Sequence, residues 1–256
     1  MDIAVPNHPN SPNSLNSSNS LNSPKHKYRI VISSPFTQRN TVSYGLLVYA
    51  KNTKRWAIVQ RKHSVEFLLF MKGCYRLSHL SILLSSITPC EYASIRHCAL
   101  SRDNFTEMYI SQLFFDDNGL EYAYSQFVKN LSRSLNLLSQ LDLSNNKLEW
   151  TWPKGRISYQ TSETPISCAV REFEEEVGIK LPPPQFISDF CVADKFVTIT
   201  NRTIESRFWI YVIETEITMP TLEFHPEVAS RFWASTEQCQ HLLPTFDFTN
   251  IIPLVQ

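Results

Sequence analysis

Apolar residues in the first third of the chain form three short runs with the length and spacing of β-strands. Polar residues at 51–54 separate the second run from the third, which is typical of a turn between paired strands. The second run is apolar from Tyr44 to Tyr49, which predicts a strand covered on both faces. The pattern predicts strands at 28–33, 42–50 and 56–61.

Between about 64 and 146 the apolar residues follow the spacing of helices. Thr88 is followed by Pro89, and Glu91 lies three residues after Thr88, an order typical of a capped helix start. The pattern predicts helices at 66–71, 77–87, 88–99, 104–115 and 120–141. This block is therefore expected to be mostly helical.

Strand patterns return after the block, at 148–152, 186–193, 195–200 and 206–216, and a last helix is predicted at 236–243. A mostly helical block between two β-rich regions predicts an α+β fold. Before the first strand, sixteen of the nineteen residues at 6–24 are Asn, Ser or Pro. Such a segment has too little apolar surface to offset its ordering entropy, so residues 1–27 are predicted to be a disordered tail.

The composition narrows the class of protein. With 43% hydrophobic residues in 256, the chain can form a sizeable core. No apolar run reaches the roughly 18 to 20 residues of a membrane-spanning helix, so no membrane insertion is expected. The start of the chain lacks the features of a secretory signal, and the six cysteines are scattered. We therefore expect reduced thiols and a cytoplasmic location.

The net charge is zero, but the charges are unevenly distributed. Residues 1–65 carry nine basic and one acidic side chain, whereas residues 66–256 carry 15 and 23. Clustered cations attract phosphate-bearing ligands, although basic residues also protect solvated strand edges. The candidate phosphate contacts in and beside the predicted strands are Lys51, Arg55, Arg61 and Lys62.

A well-delimited amphipathic helix is predicted at 165–177. Thr164 is a suitable N-cap, Pro165 suits the first helical position, and Gly178 suits the left-handed end. An apolar stripe on one side predicts the core-facing surface. The stripe comprises Ile166, Val170, Phe173 and Val177.

Three glutamates, Glu172, Glu175 and Glu176, lie on the opposite side of this helix. At such spacing carboxylates repel one another by a few tenths of a kcal/mol per pair. A hard divalent cation would reverse that sign, and Mg²⁺ prefers oxygen ligands and leaves positions for phosphate oxygens. A solvated glutamate-rich face is the simpler interpretation, but it leaves the flanking Glu163 and Arg171 unexplained.

The segment from Gly155 to Ile179 resembles the Nudix box. The family pattern is Gly-x5-Glu-x7-Arg-Glu-apolar-x-Glu-Glu-x-Gly-apolar, and every fixed position from Glu163 through Arg171 to Gly178 is matched. Seven residues instead of five separate Gly155 from Glu163, so this loop is two residues longer. Residues 150–155, 168–176 and 66–75 also resemble mRNA-decapping members of the family from large cytoplasmic DNA viruses.

The resemblance implies an α/β/α Nudix sandwich with a mostly helical insertion ahead of the box. The Nudix domain would comprise residues 28–63 and 147–256, and the insertion residues 64–146. In the viral relatives this region takes part in RNA binding. If the kinship is viral, the location would be the host cytoplasm.

The resemblance also implies roles for the box residues. Glu172, Glu175, Glu176 and the carbonyl of Gly155 would hold Mg²⁺ or Mn²⁺, while Glu163, Arg171 and Gly178 would support them. Lys154 would contact substrate. The catalytic carboxylate would be Glu175, Glu176 or Glu227, and Glu227 has the alternative of being a surface charge.

The expected function is metal-dependent cleavage of the 5′ cap of mRNA, releasing m7GDP and 5′-monophosphate RNA. One alternative is hydrolysis of a small polyphosphate, either a diphosphoinositol polyphosphate or a dinucleoside polyphosphate. Another is a non-catalytic RNA-binding module on the same fold. The expected partner is thus capped RNA or a small polyphosphate, and no pattern addresses the oligomeric state.

Overall fold

Strand β2 (Val42–Ala50) lies inside a mixed sheet, and this position accounts for its unbroken apolar sequence. Leu46 and Val48 pack into the core on one face, and Leu47 and Tyr49 pack into the core on the other. The strand is therefore covered on both sides, as its sequence predicts.

A computed structural model describes residues 31–33, 42–114, 117–158, 162–183, 186–189, 191–197, 203–221, 225–249 and 251–255. The predicted tail at 1–27 and residues 28–30 and 198–200 of two predicted strands lie outside these ranges. The described strands are β1 (Val31–Ser33), β2, β3 (Arg55–Arg61), β4 (Trp150–Thr151), β5 (Lys154–Gly155), β6 (Phe186–Ile187), β7 (Cys191–Val197), β8 (Thr203–Ile213) and β9 (Val228–Ser235). The described α-helices are α1 (Val65–Met71), α2 (Leu80–Ser85), α3 (Pro89–Cys98), α4 (Arg102–Glu107), α5 (Leu120–Leu138), α6 (Pro165–Val177), α7 (Thr236–Leu242) and α8 (Ile252–Val255).

These strands form one sheet in the order β1-β7-β8-β2-β3-β4, with β5 beside β2, β6 beside β8 and β9 beside β3. The β2–β8 pair is parallel, and the other pairs are antiparallel. Helix α6 packs on one face of the sheet, and α7 and the C-terminal segment pack on the other. The fold is an α+β sandwich, as predicted.

Helices α1 to α5 pack around their own core, which is built on Phe67, Phe70, Phe105 and Phe127. The rings of Phe105 and Phe127 are 4.8 Å apart, a distance suited to aromatic packing. This core draws on residues between Phe67 and Leu143, whereas the other two clusters lie on the two faces of the sheet. None of the described helices combines the length and apolarity needed to cross a bilayer.

The junction between β3 and α1 is fixed by a buried carboxylate. Glu91 on α3 accepts hydrogen bonds from the backbone N–H of Ser64 at 2.6 Å and from its hydroxyl at 2.9 Å. Glu91 also accepts from the backbone N–H of Thr88 at 2.8 Å, which completes the predicted capping box. A single side chain thus caps α3 and attaches it to the end of the sheet.

Several predicted boundaries were wrong. The strand expected at 186–193 stops pairing regularly at Ser188, whose hydroxyl accepts from the backbone N–H of Ile210 at 3.0 Å where a regular antiparallel pair would use the Ser188 carbonyl. Asp194, which was expected between two strands, lies inside β7. The helix expected at 77–87 begins as a 3₁₀ turn, Leu77–His79. The helix expected at 104–115 changes to a π-helical segment, Met108–Phe114.

Candidate functional site

Helix α6 begins and ends where the sequence predicts. The hydroxyl of Thr164 accepts from the backbone N–H of Ser167 at 3.1 Å, and Pro165 occupies the first turn. At the other end Gly178 adopts a left-handed conformation, with φ of 73°. Phe173 and Val177 are fully buried against the sheet. The glutamate side of the helix is thereby held at a fixed position relative to β2 and β5.

Arg171 connects most of the box carboxylates. Its Nε and Nη2 donate to the two oxygens of Glu163 at 2.8 and 3.1 Å, a forked ion pair. Its Nη1 lies 2.8 Å from an oxygen of Glu172 and 2.9 Å from one of Glu175. The guanidinium holds the pKa of Glu163 below its ordinary value. Arg171 therefore fixes the longer loop to the helix and neutralises two further glutamates.

Gly155 lies directly against the carboxylate of Glu172. A Cβ added at Gly155 would come within 2.0 Å of Cδ and 2.2 Å of both oxygens of that side chain. Gly155 itself is placed by β5, where it pairs with Tyr44 of β2. Only a residue without a side chain leaves room for this carboxylate beside the backbone.

Glu176 is the most buried of the three box glutamates, with 8% of its surface exposed. Its carboxylate accepts from the backbone N–H of Lys154 at 3.0 Å. Burial raises the pKa of Glu176 and lowers the pKa of Lys154, and the attraction between the two charges opposes both shifts. Burial likewise raises the pKa of Glu172, against the effect of Arg171. Glu175 differs from both, because 55% of its side chain is exposed.

Glu227 reaches the site through the pairing of β3 with the start of β9. Its carbonyl accepts from the backbone N–H of Lys62 at 2.8 Å. The Nδ1 of His225 accepts from the backbone N–H groups of Glu227 and Val228 at 3.1 and 3.0 Å. His225 therefore acts in the structure as a turn-forming residue that sets the direction of Glu227.

A small open cleft brings Glu176 and Glu227 together. Its charged lining pairs two carboxylates with two cations, and its remaining lining is small or apolar. The charged residues are Glu176, Glu227, Lys154 and Arg61, and the others are Ser43, Val59, Thr151 and Val228. A cleft with both signs of charge suits a phosphate ligand that arrives with a divalent cation.

The donor set fits Mg²⁺ or Mn²⁺ in its chemistry, since the carboxylates and the Gly155 carbonyl are hard oxygen ligands. The close approach of Glu172 to the backbone of Gly155 fits it as well, because it places a box carboxylate beside the residue whose carbonyl would be a ligand. In the described part of the chain no three His, Cys, Asp or Glu side chains converge on one position. Glu172 and Glu175 instead face Nη1 of Arg171, which supplies positive charge between them.

The four basic residues predicted from the strands do not lie together. Arg61 lines the cleft and Lys62 follows it. Lys51 and Arg55 lie at the opposite end of β3, about 20 Å away at the rise of an extended strand. Arg55 lies 3.7 Å from a carboxylate oxygen of Glu216. The basic surface is thus divided between the cleft and the far edge of the sheet.

Two residues near the site were not found by sequence reasoning. Asp194 on β7 interacts electrostatically with Lys154, and burial raises the pKa of Asp194. Arg231 on β9 donates to the carbonyl of Glu176 at the end of α6. An arginine at an alternating position of a strand that also carries buried Trp233 is a sequence signal for an inward-facing cation.

Comparison with known proteins agrees with the box. Residues 132–251 match the NUDIX domain family model. A protein of Acanthamoeba polyphaga mimivirus, provisionally named as an mRNA-decapping protein, is 24% identical over 186 residues, which is 60% of this chain and 48% of that protein. The mRNA-decapping protein g5R of African swine fever virus, isolate Pig/Kenya/KEN-50/1950, is 27% identical over 165 residues, 58% of this chain and 63% of that protein.

The chain thus spans between about half and less than two thirds of the length of these relatives. A solved Ap4A hydrolase from C. elegans overlays with a TM-score of 0.35 at 11% identity, over 83% of this chain and 92% of that one. At that TM-score the overlay adds nothing to the assignment. The residues that match the NUDIX domain family model include the whole of α6 with its box residues.

Proposed function

We propose that this chain is a metal-dependent hydrolase that cleaves the 5′ cap pyrophosphate linkage of mRNA, releasing m7GDP and 5′-monophosphate RNA. The observation that supports the chemistry is the cleft in which Glu176 and Glu227 face Lys154 and Arg61. The cleft lies beside the Glu172–Gly155 contact, because Lys154 directly precedes Gly155 in the chain. The cations that would bind phosphate are therefore close to the carboxylates of the box.

Each group has a distinct task in this proposal. Glu172, Glu175, Glu176 and the carbonyl of Gly155 would hold Mg²⁺ or Mn²⁺, whose contribution when bound is to neutralise pyrophosphate oxygens and acidify a water. Lys154 and Arg61 bind the phosphates and orient them in the cleft. Glu227, exposed beside the cleft, accepts the proton of the attacking water.

The cap is proposed as substrate on two grounds. The viral relatives carry names as mRNA-decapping proteins. In addition, Lys51 and Arg55 stand about 20 Å from Arg61 along β3, a distance that a chain of several nucleotides spans and a small polyphosphate does not. The helical region of residues 64–146 provides further surface for a macromolecular substrate and is proposed as part of the RNA-binding region.

Cap-radiolabelled RNA with Mg²⁺ or Mn²⁺ tests the reaction. The comparison is between wild type, Glu176→Gln, Glu227→Gln and the matched control Glu174→Gln, which lies on the same helix but pairs with Lys180. We expect labelled m7GDP from wild type and from the control, and a loss of at least about 100-fold in Glu176→Gln. Turnover of a diphosphoinositol polyphosphate or a dinucleoside polyphosphate, without turnover of capped RNA, would identify a small polyphosphate as the substrate. Tight RNA binding without turnover would indicate a binding module.

A second experiment tests the proposed RNA path. The double variant Lys51→Gln with Arg55→Gln should weaken binding of a capped 20-nucleotide RNA and reduce its salt dependence, while leaving a cap dinucleotide unaffected. Equal binding of the long RNA by variant and wild type would remove this edge of the sheet from the path.

A further inference from the structure

Arg231 contacts the box helix from the sheet. It lies on β9, paired with Val59 of β3, so its backbone is fixed by the ladder. Its Nη1 donates to the carbonyl of Glu176 at 3.3 Å, and its Nη2 donates to the carbonyl of Pro220 at 3.1 Å. Pro220 belongs to the connection between β8 and β9, which also supplies Glu227. One guanidinium thus joins the end of the box helix to the segment that leads to Glu227.

The contact falls where a helix needs a cation. The last carbonyls of an α-helix have no partner within the helix, and the negative end of the helix dipole lies there. The carbonyl of Glu176 is one of these groups, since the last intrahelical bond runs from Gly178 N–H to Glu174 at 2.9 Å. Arg231 therefore supplies both a donor and a positive charge to the residue whose side chain faces the cleft.

The close approach of Arg231 also bears on Gly178. A Cβ added at Gly178 would lie 2.4 Å from Nη1 and 3.0 Å from Cζ of Arg231. The guanidinium is held by two carbonyls and cannot move away without losing them. Its Nε is buried without an acceptor among the described residues, and burial lowers the pKa of Arg231. The guanidinium of Arg231 is thus partly removed from water and held in one position by its two hydrogen bonds.

We propose that Arg231 is a positioning residue for the reaction: it fixes the last turn of α6 through the Glu176 carbonyl and so holds the Glu176 carboxylate at the cleft. This inference rests on the proposed function. It concerns a residue outside the box, on a strand that follows the box by about fifty positions.

The test compares Arg231→Met, Arg231→Lys and the control Lys180→Gln. Lys180 is an exposed cation near the same helix end, and it pairs with Glu174 instead of the Glu176 carbonyl. Three measurements are made: amide hydrogen exchange at Gly178, Mn²⁺ affinity by calorimetry, and steady-state kinetics on capped RNA, which give kcat and KM. Exchange and Mn²⁺ affinity do not depend on turnover.

We expect Arg231→Met to exchange the Gly178 amide about tenfold faster, to bind Mn²⁺ about tenfold more weakly and to lower kcat by about tenfold or more, with KM little changed. Arg231→Lys should recover part of each loss, because it keeps the charge and one donor. Lys180→Gln should match wild type in all three. If Arg231→Met does not fold, Arg231→Lys carries the test, with smaller shifts in the same directions.

The inference is overturned if a folded Arg231 variant retains wild-type exchange and Mn²⁺ affinity, or if Lys180→Gln shows equal losses. Failure of the proposed function looks different. Wild type would then bind Mn²⁺ without hydrolysing capped RNA, while the exchange and affinity comparisons would still decide the role of Arg231.

Discussion

Replacing Gly155 by alanine should impair catalysis while leaving the fold intact. The backbone of Gly155 is not in the left-handed region, so alanine can adopt its conformation. The three atoms nearest to the added methyl group all belong to the carboxylate of Glu172, with Cδ at 2.0 Å and the nearer oxygen at 2.1 Å. That carboxylate is the far end of a flexible side chain, so it moves and the sheet does not.

The displacement of the Glu172 carboxylate determines the expected loss of activity. Ordinary contact begins at 3.4 Å, so Glu172 must move by about 1.4 Å from its 2.0 Å contact. A misplacement of about 1 Å in a catalytic group can cost roughly 100-fold, which corresponds to about 2.7 kcal/mol of transition-state stabilisation. The free energy of unfolding should change by less than about 1 kcal/mol, because restriction of the unfolded chain by alanine offsets part of the disturbed Glu172–Arg171 pair.

A double-mutant cycle separates this cause from others. Glu172→Asp withdraws the carboxylate by about 1.5 Å, roughly one C–C bond, and so relieves the clash. Gly155→Ala combined with Glu172→Asp should therefore be little worse in kcat/KM than Glu172→Asp alone. Full additivity of the two losses, or wild-type activity in Gly155→Ala, would refute the reasoning. Gly45→Ala is the contrasting control for stability, since its Cβ would meet the backbone carbonyl of Pro153 at 2.2 Å.

Two further predictions concern stability. Glu91→Ala should cost about 2 to 4 kcal/mol in urea unfolding, because it leaves the buried N–H groups of Ser64 and Thr88 without an acceptor; a change below 1 kcal/mol would contradict the anchoring role. Burial, with the nearby carboxylates, raises the pKa of Glu66 in the folded protein. Protonated Glu66 therefore stabilises the fold below the unfolded pKa near 4.5, and this stabilisation is lost as the pH rises through the folded pKa. Glu66→Gln should therefore be more stable than wild type at pH 7 and equal to it near pH 4. Thermal melts in which the variant is less stable than wild type at pH 7 would contradict a raised pKa of Glu66.

The elements that local chemistry specifies could be predicted from the sequence. Thr164, Pro165 and Gly178 delimit α6, and Thr88 with Glu91 delimit the start of α3, because caps act within four residues. The strands of uniform apolarity were equally clear. The fold class followed from the order of these elements and from the box.

Long-range contacts could not be read from spacing. The break at Ser188 depends on Ile210, which is 22 residues distant, and the partner of Arg231 is 55 residues before it. The basic residues of the first third form one group in sequence, but β3 carries Arg55 and Arg61 to opposite ends of a strand. Proximity along an extended chain is therefore a poor guide to a shared surface.

Packing against the sheet, and not helix geometry alone, determines which of the three glutamates of α6 are buried. At about 100° per residue, positions 172 and 176 lie about 40° apart, whereas 175 lies about 60° to the other side of 172. The sheet edge covers the sector of 172 and 176, so 15% of the side chain of Glu172 and 8% of Glu176 remain exposed, against 55% of the side chain of Glu175. The helical wheel places all three on one side, but the position of β5 decides which two are removed from water. The buried pair is accordingly the better candidate for fixed ligands, and Glu175 for the adaptable one.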